Sequence, residues 1–414
     1  MKILVVGKGG REHALARALA ASDQCEELYC APGNPGMAEL GLNVNIADDD
    51  IDALVRFAKA ENIDLTVVGP ESSLALGIAD AFEKEGLKIF GPTQAAAQVE
   101  TSKDFAKSLM KKYGIPTAAY QTFDNLEEAI AYVLEKGAPI VIKENGLKAG
   151  KGVTVAMNVE DALEALDIAF AIPGNSVVIE EYLEGFEFSL ICLVHGDLVI
   201  PLGVAQDHKR VGDGDTGPNT GGMGSYSPVR AITEDMKQTA MDTILVPMAK
   251  ALKAEGMPFT GFLYGGLMVT EDGIKTIEFN ARFGDPEAEV ILARLQSDFV
   301  QNILDVMDDK TPDMKWNPQT SHGVVLASTG YPAGSTKGAL IEGTEDLEGF
   351  LYHMGTAETD EGLVTNGGRV IMPVNLADTL EEAMEKTYAD VHKIRSDALF
   401  YRNDIGRKDL DSCH

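Results

Sequence analysis

The sequence predicts a multidomain α/β protein, and three observations carry that expectation. Its 414 residues exceed what one compact core holds, at roughly 100–200 residues per domain. Strand-length apolar runs alternate with helical apolar spacing from the first residues onward, the pattern of a parallel sheet with crossover helices. The apolar fraction of 45% and the charged fraction of 24% match globular averages, which excludes a disordered chain, a collagen-like repeat and a disulfide scaffold.

Residues 2–6 form an apolar run suited to a buried parallel strand, and Gly7-Lys8-Gly9-Gly10 turns it into a helix over 11–21. Strands at 27–30, 65–69 and 88–91, with helices at 51–61 and 74–85, complete a doubly wound N-terminal domain ending near Gly91-Pro92. Ser102 can cap a helix running to Lys112, which Gly114-Ile115-Pro116 breaks. Asp124 with Glu127 opens another helix, followed by strand 139–143, a Gly/Lys loop, strand 153–156, helix 159–170 and strand 176–181, a small α/β module. Strands 186–194 and 198–205 precede a Gly-rich loop over 213–224, a long helix over 233–255 and a hairpin about Asp272-Gly273. Asp285-Pro286 starts a helix reaching Leu295. From about Ser321, strands 322–329 and 363–374 and a helix opened by Thr379 with Glu382 make a third, smaller α/β domain. With neither an internal repeat nor a low-complexity linker, the domains are expected to pack closely.

Charge narrows the function. Thirty-five Lys and Arg against 65 Asp and Glu leave a net −30, which argues against nucleic acid and anionic membranes as partners, since both require a basic face. No apolar run approaches the ~18 residues of a membrane span, and the first residues read as a strand rather than a leader. Cys25, Cys30, Cys192 and Cys413 lack zinc spacing and fit a reducing cytoplasm. In so acidic a chain, a local cluster of Lys and Arg stands out.

Three segments carry candidate chemistry. Residues 145–152, Asn-Gly-Leu-Lys-Ala-Gly-Lys-Gly, fail the Walker pattern at both ends, and they join two strands rather than a strand and a helix. Such a hairpin tip can fold over a nucleotide triphosphate, its amides and lysines meeting the phosphates; an ordinary flexible turn is the alternative. Glu278, Asn280 and Arg282 alternate along a strand and share one face, and a carboxylate beside an amide oxygen suits Mg²⁺; polar alternation on an exposed strand is the alternative. Asp207-His208-Lys209-Arg210 and the Thr216–Gly224 loop offer an anion site or else a surface turn. His208 is a tempting general base, although a lone loop histidine is more often structural.

Together these segments resemble the phosphoribosylamine–glycine ligase family of ATP-grasp enzymes. The resemblance rests on residues 7–15 (Gly-Lys-Gly-Gly-Arg-Glu-His-Ala-Leu), 31–36 (Ala-Pro-Gly-Asn-Pro-Gly), 68–71 (Val-Gly-Pro-Glu), 149–152 (Ala-Gly-Lys-Gly), 206–210 (Gln-Asp-His-Lys-Arg), 216–224 and 278–287 (Glu-Phe-Asn-Ala-Arg-Phe-Gly-Asp-Pro-Glu), in order through nearly the whole chain. It implies an N-terminal α/β domain at 1–101, an ATP-grasp region at 102–322 with a lid at about 117–185, and a C-terminal domain at 323–414. The implied reaction joins glycine to 5-phosphoribosylamine in purine synthesis, with ATP going to ADP and phosphate through glycyl phosphate. By position, Lys103, Lys143, Gly150, Lys151 and Gly152 would meet ATP phosphates, Glu180, Glu181, Tyr182 and Leu183 the adenine, and Glu187 the ribose. Glu278 and Asn280 would bind Mg²⁺, with Mn²⁺ as a substitute. Gly9, Gly10, Arg11, Glu12, Pro70 and Glu71 would line the phosphoribosylamine site, while Lys143, Asp207, Lys209, Arg282 and Asp285 would serve catalysis.

Glu144, Asn145 and Lys148 depart from the Ala-Asp-Gly-Leu-Ala usual in the family, and residues 262–270 hold no carboxylate for a third metal ligand. A cytoplasmic monomer in transient contact with an upstream amidotransferase is expected. A nicotinamide dehydrogenase is disfavoured because the first turn lacks the third glycine and no acidic residue ends the second strand. Another ATP-grasp carboxylate ligase or a non-catalytic nucleotide-binding module are the remaining alternatives.

Overall fold

The computed structural model describes residues 1–147 and 152–411. The N-terminal sheet has five parallel strands in the sequence order 3-2-1-4-5, with Lys2–Gly7 at its centre. Period-two alternation sends Leu4 and Val6 into one core and Ile3 and Val5 into the other. The third strand, Leu42–Asn43, is too short to leave a sequence pattern. The helix expected over 74–85 is two, Glu71–Ala75 and Ile78–Lys84, because Gly77 between them takes a φ of 79° that no continuous helix permits.

Ser102 caps Lys103–Tyr113 as expected, accepting from the Phe105 N–H at 3.2 Å. Beyond it an antiparallel four-stranded sheet, ordered Tyr120–Phe123, Val177–Glu181, Ile140–Glu144, Val153–Ala156, carries helices Leu126–Lys136 and Val159–Phe170 around a core of its own. The first of these helices is capped by Asn125 rather than Asp124: Asn125 is extended, and its Oδ1 takes the Glu128 N–H at 3.1 Å. Residues 140–144 and 153–156 pair as the expected hairpin.

The central sheet has ten strands. Thr260–Thr270 pairs with Phe186–His195 on one side and with Gly273–Asn280 on the other. The helix expected over 233–255 is interrupted: Glu234–Ala240 widens into a π turn at Met241–Leu245 before Val246–Ala254. The wide turn ends two residues before Pro247, whose nitrogen has no hydrogen to continue the helical ladder. Glu287–Leu292 is shorter than expected, and Phe299–Met307 was not anticipated. The Gly-rich loop contains a small ribbon of Arg210–Gly212 and Thr216–Asn219.

The C-terminal strands continue the central sheet. Thr320–Val324 bonds to Gly224–Ser227, which bonds to Leu198–Asp207. The strand expected over 322–329 is Thr320–Val324 followed by Leu326–Ser328, and that over 363–374 is Gly362–Thr365 and Arg369–Ala377, with Gly367-Gly368 between them. Thr379 caps Leu380–Lys393. Phe262 packs against Phe90, Phe283 and Phe299, with ring centroids 5.0, 5.1 and 6.3 Å away, fusing the N-terminal and central regions through one apolar core.

Candidate active site

A cavity of about 680 Å³ opens where the N-terminal sheet, the small four-stranded module and the central sheet meet. Its floor is the strand Gly273–Asn280, whose pleat turns Glu278 and Asn280 to the same side. Opposite them on the neighbouring strand stand Gly266 and Tyr264, so no carboxylate joins from there. Burial alone would raise the Glu278 carboxyl, but Lys209, Lys143, Lys103 and Arg282 overcome it and hold the group below the usual carboxylate range. Glu278 is therefore an anion, with Lys209 Nζ 3.9 Å away. Asn280 satisfies its neighbours when its amide nitrogen faces Glu100 Oε1 and the Phe279 carbonyl, each at 3.2 Å. Among the described residues no three His, Cys, Asp or Glu side chains gather into a metal-binding group. The donor set still fits a divalent cation of the Mg²⁺ kind, which takes one or two protein oxygens and completes its shell with phosphate and water.

Glu180 ties the small module to the floor. Its carboxylate lies between Lys107 Nζ at 2.8 Å and Lys143 Nζ at 2.9 Å, all three side chains being buried. Lys143 also donates to the Ile277 carbonyl at 2.9 Å, and Lys107 donates to Thr117 Oγ1, which donates to the Thr276 carbonyl, each at 2.7 Å. Burial lowers Lys107 to about 8 against the pull of Glu180. Glu181, Tyr182 and Leu183 line the cavity beside it. Lys103 Nζ donates to the Gly146 carbonyl, and Asn145, one of the residues departing from the family pattern, accepts the Lys103 N–H, both at 2.9 Å. Gly152 lines the wall, whereas Lys148, Gly150 and Lys151 lie outside the described residues.

At the N-terminal end, four charges form a ladder. Arg11 Nη1 and Arg282 Nε approach Glu71 Oε2 at 3.6 and 3.4 Å, and Arg282 Nη2 reaches Glu100 at 3.1 Å. Burial opposes the Glu71 charge, but Arg282 and then Arg11 hold its carboxyl at about 2. Arg11 and Glu71 face the cavity, whereas Gly9, Gly10, Glu12 and Pro70, expected to line it, do not. Glu12 turns inward, accepting from the Gly9 N–H at 2.6 Å and Arg11 Nε at 2.5 Å. The glycines of the first turn have a packing reason: a Cβ at Gly7 or Gly69 would sit 2.4 or 2.0 Å from the Glu12 side chain, and one at Gly10 would sit 2.3 Å from Glu289.

Lys209, Asp207 and Asp285 close the remaining side. Lys209 Nζ pairs with Glu187; burial opposes its charge, but Glu187, Tyr264, Glu278 and Asp207 together push it well above the usual lysine range. Burial, and then Glu287, push Asp207 well above the usual carboxylate range against Lys209 and Arg369. Gly222, at φ 118°, leaves room for it, since a Cβ there would meet Asp207 Oδ1 at 2.5 Å. Asp285 pairs with Arg369 Nη1 at 2.9 Å, and Arg369 also donates to the Gly221 and Asp285 carbonyls at 2.8 Å. His208 does not line the cavity: it is buried, its Nε2 accepts the Gly406 N–H at 3.1 Å, and burial lowers it to about 3. Sequence reasoning missed Glu100, Lys107, Glu287 and Arg369. Glu287 closes the 278–287 motif without having been given a role there, and Arg369 is a cation opening the apolar run 369–377; Glu100 and Lys107 left no trace in the pattern.

A small α/β module facing a carboxylate–amide strand across a lysine-lined cavity is the architecture of the ATP-grasp ligases, and this molecule is one of that class. Models of the phosphoribosylglycinamide synthetase N domain, ATP-grasp (A) domain and C domain match residues 1–100, 101–288 and 321–408. The chain belongs to the phosphoribosylglycinamide synthetase family. It is 52% identical to a phosphoribosylamine–glycine ligase of Halalkalibacterium halodurans over 99% of this chain and 97% of that one. A crystal structure of phosphoribosylamine–glycine ligase from Thermotoga maritima superposes with a TM-score of 0.86 at 34% identity, covering 98% of this chain and all of that one. The biotin carboxylase domain of a Hydrogenobacter thermophilus 2-oxoglutarate carboxylase shares the fold, at TM-score 0.71 and 17% identity, over 97% of this chain and 91% of that one. No helix among the described residues is long and apolar enough to cross a membrane.

Proposed function

We infer that the protein joins glycine to 5-phosphoribosylamine, with ATP going to ADP and phosphate, to give glycinamide ribonucleotide in purine biosynthesis, and that glycyl phosphate is the intermediate. The observation that carries the reading is the charge order in one cavity: buried lysines and the anionic Glu278 at the nucleotide end, the Arg11–Glu71–Arg282 ladder at the other.

The chemistry explains why that order is useful. A carboxylate repels a nucleophile and has no good leaving group. Moving the γ-phosphoryl of ATP onto the glycine carboxylate makes phosphate the leaving group, and the phosphoribosylamine nitrogen then attacks the carbonyl carbon. The protein positions the reactants and offsets charge, as in phosphoryl transfer generally. Lys103 and Lys143, with Gly150, Lys151 and Gly152, serve the phosphates. Glu180, Glu181, Tyr182 and Leu183 hold adenine, and Glu187 the ribose. Glu278 and Asn280 would hold a divalent cation, Mg²⁺ by preference and Mn²⁺ as substitute, whose charge would offset that of the transferred phosphoryl group. Arg282 and Lys209 offset the acyl phosphate, with Asp207 and Asp285 beside them. Arg11 and Glu71 meet phosphoribosylamine, backed by Gly9, Gly10, Glu12 and Pro70. The small module acts as a lid that excludes water, the competing nucleophile. The free thiols of Cys25, Cys30 and Cys192 are in keeping with a reducing cytoplasm.

The test is ADP release from Mg-ATP. It is expected only with both glycine and freshly generated phosphoribosylamine; release driven by bicarbonate or formate instead would assign the chain to another carboxylate chemistry.

A further inference from the structure

Glu100 stands in the short helix Gln98–Thr101, just ahead of the lysine-bearing helix, and is 9% exposed. Its carboxylate is used by three consecutive residues at the end of the floor strand. Oε2 accepts the Ala281 N–H at 2.7 Å, while Oε1 meets Arg282 Nη2 at 3.1 Å and the Asn280 amide nitrogen at 3.2 Å. A carboxylate offers acceptors only, whereas an asparagine amide has a donor end and an acceptor end that differ by a half-turn. Facing Glu100, Asn280 must present its nitrogen, and its oxygen is thereby turned to the opposite side. The Phe279 carbonyl, a second acceptor at 3.2 Å, enforces the same choice.

We propose that Glu100 is a positioning residue that fixes the Asn280 amide so that Oδ1, rather than Nδ2, is offered to the divalent cation, and that it sets Arg282 in the same act. Hydrogen-bonded groups behind metal ligands commonly decide ligand orientation in this way. A glutamine at position 100 has almost the same shape but can present its own NH₂ to Asn280, so the amide loses the reason for its orientation. The inference rests on Glu278 and Asn280 being the metal ligands, and the experiment separates the two claims.

The full-length enzyme is titrated with Mn²⁺ in the presence of ADP, with free Mn²⁺ read by electron paramagnetic resonance, for the parent, Asn280→Ala, Glu100→Gln, Asn280→Asp and the double variant Glu100→Gln/Asn280→Asp. Asn280→Ala is expected to weaken Mn²⁺ binding; if it does not, the ligand reading itself fails. Glu100→Gln is expected to weaken it about 10- to 100-fold. An aspartate at 280 has oxygens at both ends and needs no orientation, so Glu100→Gln is expected to cost nothing further in that background. Parent-like Mn²⁺ binding by Glu100→Gln, or an equal loss in both backgrounds, overturns the proposal while leaving the ligand reading intact. Should Glu100→Gln not fold, neutron diffraction of the parent with Mg-ADP reads the amide directly: deuterium density on the Glu100 side is expected, and density on the metal side overturns the proposal.

Discussion

Glu278 and His322 show opposite uses of burial. Lysines and Arg282 keep Glu278 anionic despite burial, which is the state its proposed role as a metal ligand requires. Glu278→Gln is expected to lower turnover by about 10²-fold or more, as losing an electrostatic contribution of a few kcal/mol requires; kcat against Mg²⁺ concentration measures it, and near-normal values would remove Glu278 from the metal site. His322 is fully buried, bonds through Nε2 to the Ile405 carbonyl at 2.9 Å, and is lowered by burial from 6.5 to about 4. A depressed value means that the unfolded chain takes the proton first, so its contribution to stability is whole above pH 6.5 and is lost as pH falls toward about 4. Urea titrations between these limits are expected to show a slope shallower in His322→Gln than in the parent by up to about 1.4 kcal/mol per pH unit. At this scale the period-two placement of Glu278 and Asn280 was legible in the sequence, whereas Arg282, expected on the same strand, falls in the bend beyond its end and still reaches the cavity. The glycines of the first turn were legible as special, but not their reason: Gly7 leaves room for Glu12, which folds back on its own turn, and Gly10 for Glu289, which arrives much later in the chain.

The small α/β module was almost wholly legible, because its helices and hairpin are written in local periodicity and caps. What fastens it was not. Lys107, Glu180 and Lys143 come from separate segments, and each alone reads as an ordinary charged residue. Removing the shared carboxylate strands two buried ammonium groups, so Glu180→Gln is expected to cost about 3 kcal/mol in urea unfolding. A loss of about 0.5 kcal/mol, typical of an exposed pair, would show that the buried triad does not fasten the module. The two broken helices were missed for related reasons. Gly77 and Pro247 sit inside patterns whose apolar spacing runs straight through them, so periodicity outvoted the single residue that ended the ladder.

Over the whole molecule, the alternation of strands and helices announced an α/β protein, but not that the C-terminal strands extend the central sheet through Gly224–Ser227. Pairing between segments a hundred residues apart leaves no local signal. The net charge of −30 opposes the approach of anionic substrates, and Lys209, one of the cations lining the cavity, is already paired with Glu187. Raising ionic strength from about 0.05 to about 0.2 M is therefore expected to leave kcat/KM unchanged or slightly higher; a steep loss would show that local cations steer substrates in. The central claim is that one cavity moves phosphate onto glycine before the amine attacks. Glycine carrying oxygen-18 in its carboxylate tests it most directly, with mass analysis of the phosphate released alongside ADP. One labelled oxygen per phosphate formed is the expected result, and unlabelled phosphate would contradict the account.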